Sequence, residues 1–391
     1  MKVVGVMSGT SLDGLDLVLI ELQGSRPADF SWRILDCASL PYASHQRERI
    51  DRAIRSGGAA ALCGLHVDLG EWIAQAVLTF LARGKEEPDE VRLIGSHGQT
   101  VWHTPPDGAT ETRGATLQLG DPATIAHRTG IDVISDFRSR DMAAGGHGAP
   151  LVPWVDALMF RREDGPRCLQ NIGGMANVTW VPAEGSGEAP VAFDSGPGNA
   201  LIDAAVRLMT AERMSFDEGG ELAEAGRVDQ ELLGRLLDDD YLERPPPKST
   251  GRERYGTGVV EQLAADRGLG PGTGAGWEDL VATLTEFTAA SIAEGYERWI
   301  APRPFGEVVV SGGGANNPVL MGRLRDRMPG VPFREASDVF GFDPDFKEAV
   351  AFAVLAWAHH WGVPGNLPAA TGAEEPVVLG SRTPGTGEPR G

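Results

Sequence analysis

One unit occurs twice in the sequence and constrains the fold more than any other feature. It consists of an apolar strand, a glycine-rich tip and a second apolar strand. The first copy is VVGVMSGTSLDGLDLVLIEL, with its tip around Gly9, and the second is CLQNIGGMANVTWV, with its tip around Gly173. The repeat is one of structure more than of sequence. Two such halves facing each other would form a cleft, with a ligand gripped by both tips lying between them.

Strand-like and helical patterns alternate along the rest of the chain, which favours an α/β protein. Helical periodicity covers residues 44–83, and VRLIGSHGQTVWH reads as a short strand that ends in a polar loop. EDLVATLTEFTAASIAEGYERWI predicts an amphipathic helix, FKEAVAFAVLAWAHH a buried one and SRTPGTGEPRG a loose tail. A length of 391 residues favours two domains over one.

Composition excludes some classes of function. The net charge is −20 and no basic block is present, which disfavours nucleic-acid binding. Cys37, Cys63 and Cys168 are widely spaced without a CxxC pattern, so neither a zinc site nor a disulfide framework is expected. These features, with no signal-like or membrane-length apolar run, predict a protein of the reducing cytoplasm.

The first tip, Ser8-Gly9-Thr10-Ser11-Leu12-Asp13-Gly14, has the composition of a phosphate-binding loop. Its glycines let backbone amides approach a phosphate, and its hydroxyls add donors. Asp13 and Asp16 would repel a phosphate, so their function would require a bridging Mg²⁺ or a hydroxyl substrate nearby. An ordinary turn is the alternative.

Two further glycine-rich loops follow strands. The second tip, residues 171–177, carries no charge, which suits amides that point at an anion; another glycine hairpin is the alternative. The third loop, residues 311–317, links a strand to a helix with Pro318 in its first turn. Such a loop suits an anion at the helix N-terminus or a nucleoside lying across flat glycine backbone.

Polar residues at strand ends are the candidates for chemistry. Asp194 ends the apolar strand 191–193 and precedes a glycine turn, where a carboxylate can act as a general base; an N-cap or Asx-turn is the alternative. Asp136 and Arg138 follow another strand, and Arg138 is suited to an anionic or polyhydroxylated substrate or to a salt bridge. His97 is placed to line the cleft.

Several of these stretches occur together in one known family. GVMSGTSLDGLD, GSHGQTVWH, ISDFRSRD, NIGGMANVT, FDSGPGNALID, PPPKSTGRE and SGGGANNP follow one another in the order of the anhydro-N-acetylmuramic acid kinases, which the chain resembles from Gly5 to about Gly380. The family belongs to the sugar kinase, Hsp70 and actin superfamily. The resemblance implies an α/β fold of two actin-like (ribonuclease H-like) domains around a central nucleotide and sugar cleft. The first domain would span residues 1–135, completed by about 345–391, and the second residues 136–344.

The resemblance also implies an activity and a set of site residues. The family uses ATP, with Mg²⁺, and water to open 1,6-anhydro-N-acetylmuramic acid and phosphorylate O6 in cell-wall recycling. Asp194 would be the base, and His97, Asp136, Arg138 and Glu348 would lie at the sugar. The nucleotide would be bound by Gly9, Thr10, Ser11, Leu12, Asp13, Gly14, Leu15, Asp16, Gly173, Gly174, Asn177, Gly312, Gly313 and Gly314. Asp13 or Asp16 would help to hold the metal, and a homodimer is expected.

The sequence departs from this pattern at three positions. His147 stands where the family has Gln, Ser195 where it has Thr, and Met7 where the superfamily often has Asp. Two other functions remain open at this point. One is a levoglucosan-type kinase, which a substrate without lactyl and acetamido groups would reveal. The other is a nucleotide-gated binding or chaperone module, which would turn over ATP without sugar.

Overall fold

The structure, a computed structural model, describes residues 1–9, 12–106, 114–272 and 276–386. The chain divides into two compact units. Unit 1 comprises Met1–Met159 and the chain from Asp345 onward, and unit 2 comprises Phe160–Pro344.

Strands and helices alternate through both units. The strands are β1 (Lys2–Ser8), β2 (Gly14–Gln23), β3 (Ser31–Pro41), β4 (Val91–Thr104), β5 (Ala115–Leu119), β6 (Asp132–Ser135), β7 (Arg167–Ile172), β8 (Met175–Val181), β9 (Val191–Pro197), β10 (Val308–Ser311), β11 (Phe333–Glu335) and β12 (Ser381–Thr383). The helices are α1 (Ser44–Ser56), α2 (Ala59–Gly84), α3 (Pro122–Thr129), α4 (Ser139–Ala143), α5 (Val152–Met159), α6 (Ala200–Thr210), α7 (Glu221–Ala225), α8 (Gln230–Leu237), α9 (Asp240–Glu243), α10 (Thr257–Asp266), α11 (Trp277–Gly295), α12 (Pro318–Arg327), α13 (Ala336–Phe340), α14 (Lys347–His360) and α15 (Pro368–Thr371).

The two sheets share one topology. In unit 1 the order is β12-β6-β4-β1-β2-β3, with β5 beside β4; in unit 2 it is β11-β10-β7-β8-β9. In each, the first three strands in sequence are antiparallel neighbours, and two later strands continue the sheet in parallel from the first: β4 and then β6 in unit 1, β10 and then β11 in unit 2. The repeated unit predicted from the sequence is therefore confirmed. So is the α/β fold class, with two ribonuclease H-like units.

A close approach of helix to sheet organises unit 1. Gly5 of β1 and Gly95 of β4 are paired across the strands. A Cβ on Gly5 would lie 2.0 Å from the carbonyl oxygen of Ala349, and one on Gly95 would lie 2.2 Å from that of Phe352. The two glycines thus form a flat surface for α14. The opposite face of the sheet packs on α2 through a buried apolar cluster.

The long helix of unit 2 is buried more completely than its sequence predicts. We expected an amphipathic helix, but α11 is buried on most of its circumference, between β9 on one side and α6, α7, α8 and α12 on the others. Its buried threonines and serine hydrogen-bond main-chain carbonyls, such as that of Gly198, which removes the cost of their burial. A π-helical turn, Tyr296–Ile300, ends the helix.

Other sequence predictions need correction. The strand that begins at Val91 was expected to be short and to end in a polar loop. It continues to Thr104 instead, because β4 pairs with β5 beyond a register shift. The tail predicted to be loose contains β12, which pairs antiparallel with β6. Residues 136–159, assigned by sequence to the second domain, belong to the first compact unit, where α5 packs against α14.

Two observations concern the protein's environment. Cys37, Cys63 and Cys168 form no disulfide bond with one another. In the described ranges, no helix combines the length and the apolar character that crossing a membrane would require.

Candidate active site

The tip between β1 and β2 is anchored through its main chain. Leu12 has a left-handed backbone, with φ 59°, and its amide bonds the carbonyl of Gly9 at 3.3 Å. The side chains of Leu12 and Leu15 are buried in the core of unit 1, so only their backbone can face a ligand. Asp13 is exposed. Thr10 and Ser11, the predicted hydroxyl donors, lie outside the described residues.

Gly14 is required for a different reason from the one predicted. We expected close approach to phosphate or a positive φ, but Gly14 has no positive φ. A Cβ there would lie 2.3 Å from the carbonyl oxygen of Leu40 and 2.7 Å from Cα of Pro41, its partner on β3. The tight pairing of β2 with β3 therefore demands this glycine.

Asp16 lies beside the tip on β2, paired with Met7 of β1 and Ser39 of β3. Its Oδ1 accepts a hydrogen bond from the hydroxyl of Ser39 at 2.5 Å. Among the described residues, no three His, Cys, Asp or Glu side chains lie close enough together to bind a metal ion by themselves. Mg²⁺ typically binds one or two carboxylates, waters and substrate phosphates, so this arrangement is compatible with it.

A polar cluster lies on the α14 side of the unit 1 sheet. His97 of β4 stacks on Phe352 of α14, with ring centroids 4.5 Å apart. Nε of Arg138 donates to Nε2 of His97 at 3.0 Å, and Nη1 donates to the carbonyl of Gly148 at 2.9 Å. Nδ1 of His97 bonds the carbonyl of Gly98 at 2.8 Å. Because a carbonyl only accepts and a guanidinium only donates, His97 is neutral with its proton on Nδ1.

Electrostatics agree with this assignment. Burial and then the charge of Arg138 hold the pKa of His97 well below its usual value. Glu348, at the start of α14, is open to solvent, yet the protein around it limits its hydration. This desolvation raises the pKa of Glu348, against the charges of Arg138 and Lys347, and Asp16 raises it further. The cluster brings together four predicted residues: Asp16, His97, Arg138 and Glu348.

The loop that carries Arg138 is held by a buried carboxylate. Asp141 is fully buried and accepts hydrogen bonds from the amide of Gly148 at 2.8 Å and from the side chains of Asn366 and Thr371 at 2.8 and 2.7 Å. It thereby fixes the carbonyl that Arg138 grips. Asp136 is exposed and has a positive φ of 54°, and its carboxylate accepts from Ser139.

The second tip packs against helix α6. The carbonyls of Gly173 and Gly174 accept hydrogen bonds from the amides of Gly198, Asn199 and Ala200 at 2.7–3.1 Å. The first amide of α6, that of Ala200, and the two amides before it are therefore satisfied within the protein. A Cβ on Gly174 would meet nothing within 4 Å, so the outer side of this tip is open.

The third loop has one side free. Gly312, with φ 82°, and Gly314 pack against Ile172, where a Cβ would clash, whereas Gly313 is exposed. The side chain of Asn317 accepts from the first amides of α12, Val319 and Leu320, at 3.1 and 3.0 Å. The helix end is thus already capped, which favours a nucleoside over the glycine backbone rather than an anion at the helix N-terminus.

Asp194 lies in the middle of β9, not at the end of a strand, because the pairing with β8 continues to Pro197. Its partner on β8 is Asn177. The cap of α6 is Asn199, so the alternative role of Asp194 as an N-cap is wrong.

A covering segment, residues 241–250, surrounds Asp194. The hydroxyl of Tyr241 donates to the Asp194 carbonyl at 2.9 Å, and the amide of Asp194 donates to the Lys248 carbonyl at 3.1 Å. The amide of Thr250 donates to Oδ2 at 2.9 Å. No described residue donates a hydrogen bond to Oδ1. Burial raises the pKa of Asp194 to about 6, although Thr250 and Lys248 act in the opposite direction.

Sequence reasoning missed the residues that support Asp194 and Arg138. In the sequence the KSTGRE stretch stands out only as part of the family motif PPPKSTGRE, because its contact with Asp194 is non-local. Ser8 was seen as a possible phosphate donor, but its hydroxyl is buried between Tyr42 at 2.8 Å and Gln99 at 2.5 Å.

Comparison with known proteins identifies the family. A family model described as anhydro-N-acetylmuramic acid kinase matches residues 1–385. The anhydro-N-acetylmuramic acid kinase of Gloeobacter violaceus is 46% identical over 386 residues, covering 97% of this chain and 98% of its own. That of Caldanaerobacter subterraneus is 42% identical over 384 residues, covering 97% and 96%.

Among solved structures, a ROK family glucokinase from Streptomyces griseus in complex with glucose and AMPPNP is 11% identical. It covers 91% of this chain and 99% of its own, with a TM-score of 0.38. The activator of the 2-hydroxyisocaproyl-CoA dehydratase from Clostridium difficile with bound ADPNP is 13% identical and covers 91% and 94%, also with a TM-score of 0.38. These structural similarities are too distant to support any conclusion beyond the one that the strand order gives.

A match over nearly the whole length identifies a phosphotransferase of the α/β class, built from two units of one topology. The chain belongs to the anhydro-N-acetylmuramic acid kinase family, a family of ATP-dependent kinases of cell-wall recycling.

Proposed function

We propose that this chain converts 1,6-anhydro-N-acetylmuramic acid, ATP and water into N-acetylmuramic acid 6-phosphate and ADP. The water oxygen forms a bond to C1 as the bond from C1 to O6 breaks. O6 then bonds to the γ-phosphorus, whose bond to the ADP oxygen breaks, and the water's proton is released. The family match supports the substrates, and the site supports the division of roles among residues.

The state of Asp194 is the observation that carries the proposal. A general base must be ionised and have an oxygen available for the proton that it accepts. With a pKa of about 6, Asp194 is largely ionised at neutral pH and is more basic than an ordinary aspartate. Thr250 occupies Oδ2. We assign Oδ1 to the attacking water.

The polar cluster of unit 1 suits a sugar. Arg138 has two of its donors committed to His97 and Gly148, which orients the guanidinium and leaves Nη2 for a ligand. Glu348 is exposed and adds an acceptor for hydroxyl groups. We propose that Arg138 and Glu348 contact the sugar and that Asp136 lies at its edge. Both ring nitrogens of His97 are engaged by the protein, so we propose that His97 orients Arg138.

The glycine-rich tips suit ATP. We propose that the tip from Gly9 to Asp16 and the open side of Gly173 and Gly174, with Asn177 behind them, bind phosphates. The loop of Gly312, Gly313 and Gly314 would support the nucleoside. Asp13 and Asp16 fit an Mg²⁺ bound mainly through water and phosphate, which would neutralise charge on the phosphates.

Mass analysis of the phosphorylated product tests this function. The enzyme is incubated with ATP, Mg²⁺ and either 1,6-anhydro-N-acetylmuramic acid or levoglucosan. We expect a product whose mass exceeds that of 1,6-anhydro-N-acetylmuramic acid by one phosphoryl group and one water. We expect little product from levoglucosan. Preferred use of levoglucosan would replace the substrate assignment. ATP hydrolysis at the same rate without any sugar would reject the kinase assignment.

The setting of the reaction follows from the same proposal. Three cysteines that form no disulfide suit the reducing cytoplasm, where we place the enzyme. A homodimer, expected from the family, remains a prediction that sedimentation would test.

A further inference from the structure

A buried lysine supports Asp194 without an ion-pair contact with it. Lys248 is only 7% exposed. Its Nζ donates to the carbonyls of Tyr241 at 3.2 Å and Leu242 at 3.1 Å. It also lies 4.8 Å from the ring centre of Tyr241 and 5.8 Å from that of Phe193, the residue before Asp194. A buried ammonium is costly unless such groups compensate it.

These contacts close the covering segment on itself. Tyr241 and Leu242 belong to the short helix α9, whose last carbonyls need donors from outside the helix. The amide of Arg244 donates to the Tyr241 carbonyl at 3.2 Å, and the Lys248 side chain donates to the carbonyls of both Tyr241 and Leu242. Lys248 thus ties residue 248 back to residues 241–242 across the prolines 245–247. The closed segment then contacts Asp194 at three points: its amide, its carbonyl and Oδ2.

A second set of contacts joins the residues that follow the covering segment to those that precede it. The guanidinium of Arg254 pairs with Asp239 and Asp240, and the hydroxyl of Tyr255 donates to Asp239 at 2.8 Å. Asp239 in turn caps α9 by accepting from the amide of Tyr241 at 3.0 Å. Residues on both sides of Lys248 are therefore fixed, and Lys248 is the cation at the centre of the closed segment.

We propose that Lys248 is a positioning residue for the proposed base, holding the covering segment so that the Thr250 amide fixes Oδ2 of Asp194 and leaves Oδ1 to the water. The proposal rests on the proposed function, since it assigns Asp194 as the base. Besides holding the segment, the charge of Lys248 favours the ionised carboxylate.

Charged groups from several elements face this pair. Asp239, Arg244 and Arg298 act on Lys248, whereas Glu253 acts on Asp194. Burial, then Arg298, lowers the pKa of Lys248 to about 8, while Asp194 and Asp239 oppose this. Lys248 is thus still protonated at neutral pH, where the base is ionised.

Replacement of Lys248 by methionine tests the proposal, because it removes the charge and keeps an unbranched apolar stem. We expect kcat to fall by about 10–100-fold, the size typical of lost supporting contacts, with KM for sugar and ATP within about threefold. The acid limb of the kcat–pH profile should move upward by about 0.5 unit as a favourable charge is lost. Lys248→Arg should restore the acid limb and part of kcat.

The matched control is Arg323→Met. Arg323 is another shielded cation of unit 2 that donates to two main-chain carbonyls, those of Ala282 and Ala223, and it has no contact with Asp194. It should lose stability without a change in the acid limb. If Lys248→Met does not fold, Lys248→Gln, which can still donate to the carbonyls, tests the charge alone and should show the same shift of the acid limb.

The outcomes separate this inference from the proposed function. Wild-type enzyme that transfers no phosphate to the anhydrosugar would reject the proposed function. Active wild type and inactive Asp194→Asn, together with Lys248→Met at wild-type kcat and an unmoved acid limb, would overturn only the role of Lys248. An equal shift of the acid limb in Arg323→Met would also overturn it.

Discussion

The two units place different side chains at the same positions of one sheet topology. In unit 1, Met7, Asp16 and Ser39 lie side by side across β1, β2 and β3. In unit 2 the corresponding row across β7, β8 and β9 is Asn171, Asn177 and Asp194. The carboxylate of this row lies on the second of the three strands in unit 1 and on the third in unit 2.

The surroundings of the two carboxylates differ more than their positions. In unit 1 the chain passes from β3 almost directly into α1. Among the described residues, the hydroxyl of Ser39 alone donates to the Asp16 carboxylate. In unit 2 the covering segment bonds Asp194 at its amide, its carbonyl and Oδ2. Burial raises the pKa of Asp194 to about 6, against the effects of Thr250 and Lys248. The sheet thus places a carboxylate in each unit, and in unit 2 the segment inserted after the third strand orients it.

The largest effect is expected at the buried carboxylate. Asp194→Asn should lower kcat by about 10²–10⁴-fold, because the amide cannot accept the water's proton. Steady-state phosphate transfer measures this. Glu307→Gln is the matched control: it makes the same change at a shielded carboxylate just before β10, at the opposite end of that strand from the glycine loop, and should leave kcat nearly unchanged. A kcat within threefold of wild type in Asp194→Asn would remove the functional distinction between the units.

The pH profile should show the pKa of Asp194 that burial raises. Activity requires ionised Asp194, so kcat should fall about tenfold per unit as pH drops below about 6. Lys248, Glu253 and Tyr241 are the titratable groups around it, and the pKa of Lys248, lowered to about 8, should produce a shallower decline on the alkaline side.

Stability should change in the opposite direction over part of this range. An aspartate in an unfolded chain has a pKa of about 3.9, so the folded protein retains this proton to higher pH. The contribution of Asp194 to stability therefore falls between about pH 4 and pH 6 and is constant above it. The thermal midpoint of wild type should therefore fall relative to that of Asp194→Asn as the pH rises across this range. A constant difference would contradict the raised pKa.

Substitution in the polar cluster of unit 1 should weaken sugar binding, whereas substitution of Asp194 should lower kcat. Arg138→Met should raise KM for the sugar by about tenfold, or 1.4 kcal/mol, with ATP affinity largely unchanged. Isothermal titration with each ligand distinguishes the two. Arg128→Met removes an exposed cation paired with Glu71 in the same unit and serves as the control. Equal losses of sugar and ATP affinity in Arg138→Met would point to a structural role for Arg138.

The sequence predicted the parts of this picture that depend on local pattern. Alternating strands and helices, the two hairpins and the glycine tips are local, and the structure confirms them. The sequence could not show that Asp194 lies in mid-strand, because the register shift between Ala176 and Asn177 that extends β9 depends on pairing with β8. The contacts of Lys248 and Thr250 with Asp194 cross more than fifty residues of sequence.

The smallest effects are expected when one glycine from each hairpin is replaced and the thermal midpoint and ATP affinity are compared. Gly14→Ala places a methyl group 2.3 Å from the Leu40 carbonyl oxygen, so it should lower the thermal midpoint whether or not this tip binds phosphate. Gly174→Ala meets no atom within 4 Å and should leave the midpoint unchanged. If amides of the second tip approach phosphate, the added methyl should still weaken ATP binding by about threefold, or 0.7 kcal/mol.

Nucleotide titration and thermal melting on the same two proteins separate packing from binding. Gly258→Ala, at a helical glycine of unit 2 that likewise has nothing within 4 Å, is the control for Gly174→Ala. Wild-type ATP affinity in Gly174→Ala would argue that the second tip only supports α6 through its carbonyls. A folded Gly14→Ala with a wild-type midpoint would contradict the tight pairing of β2 with β3.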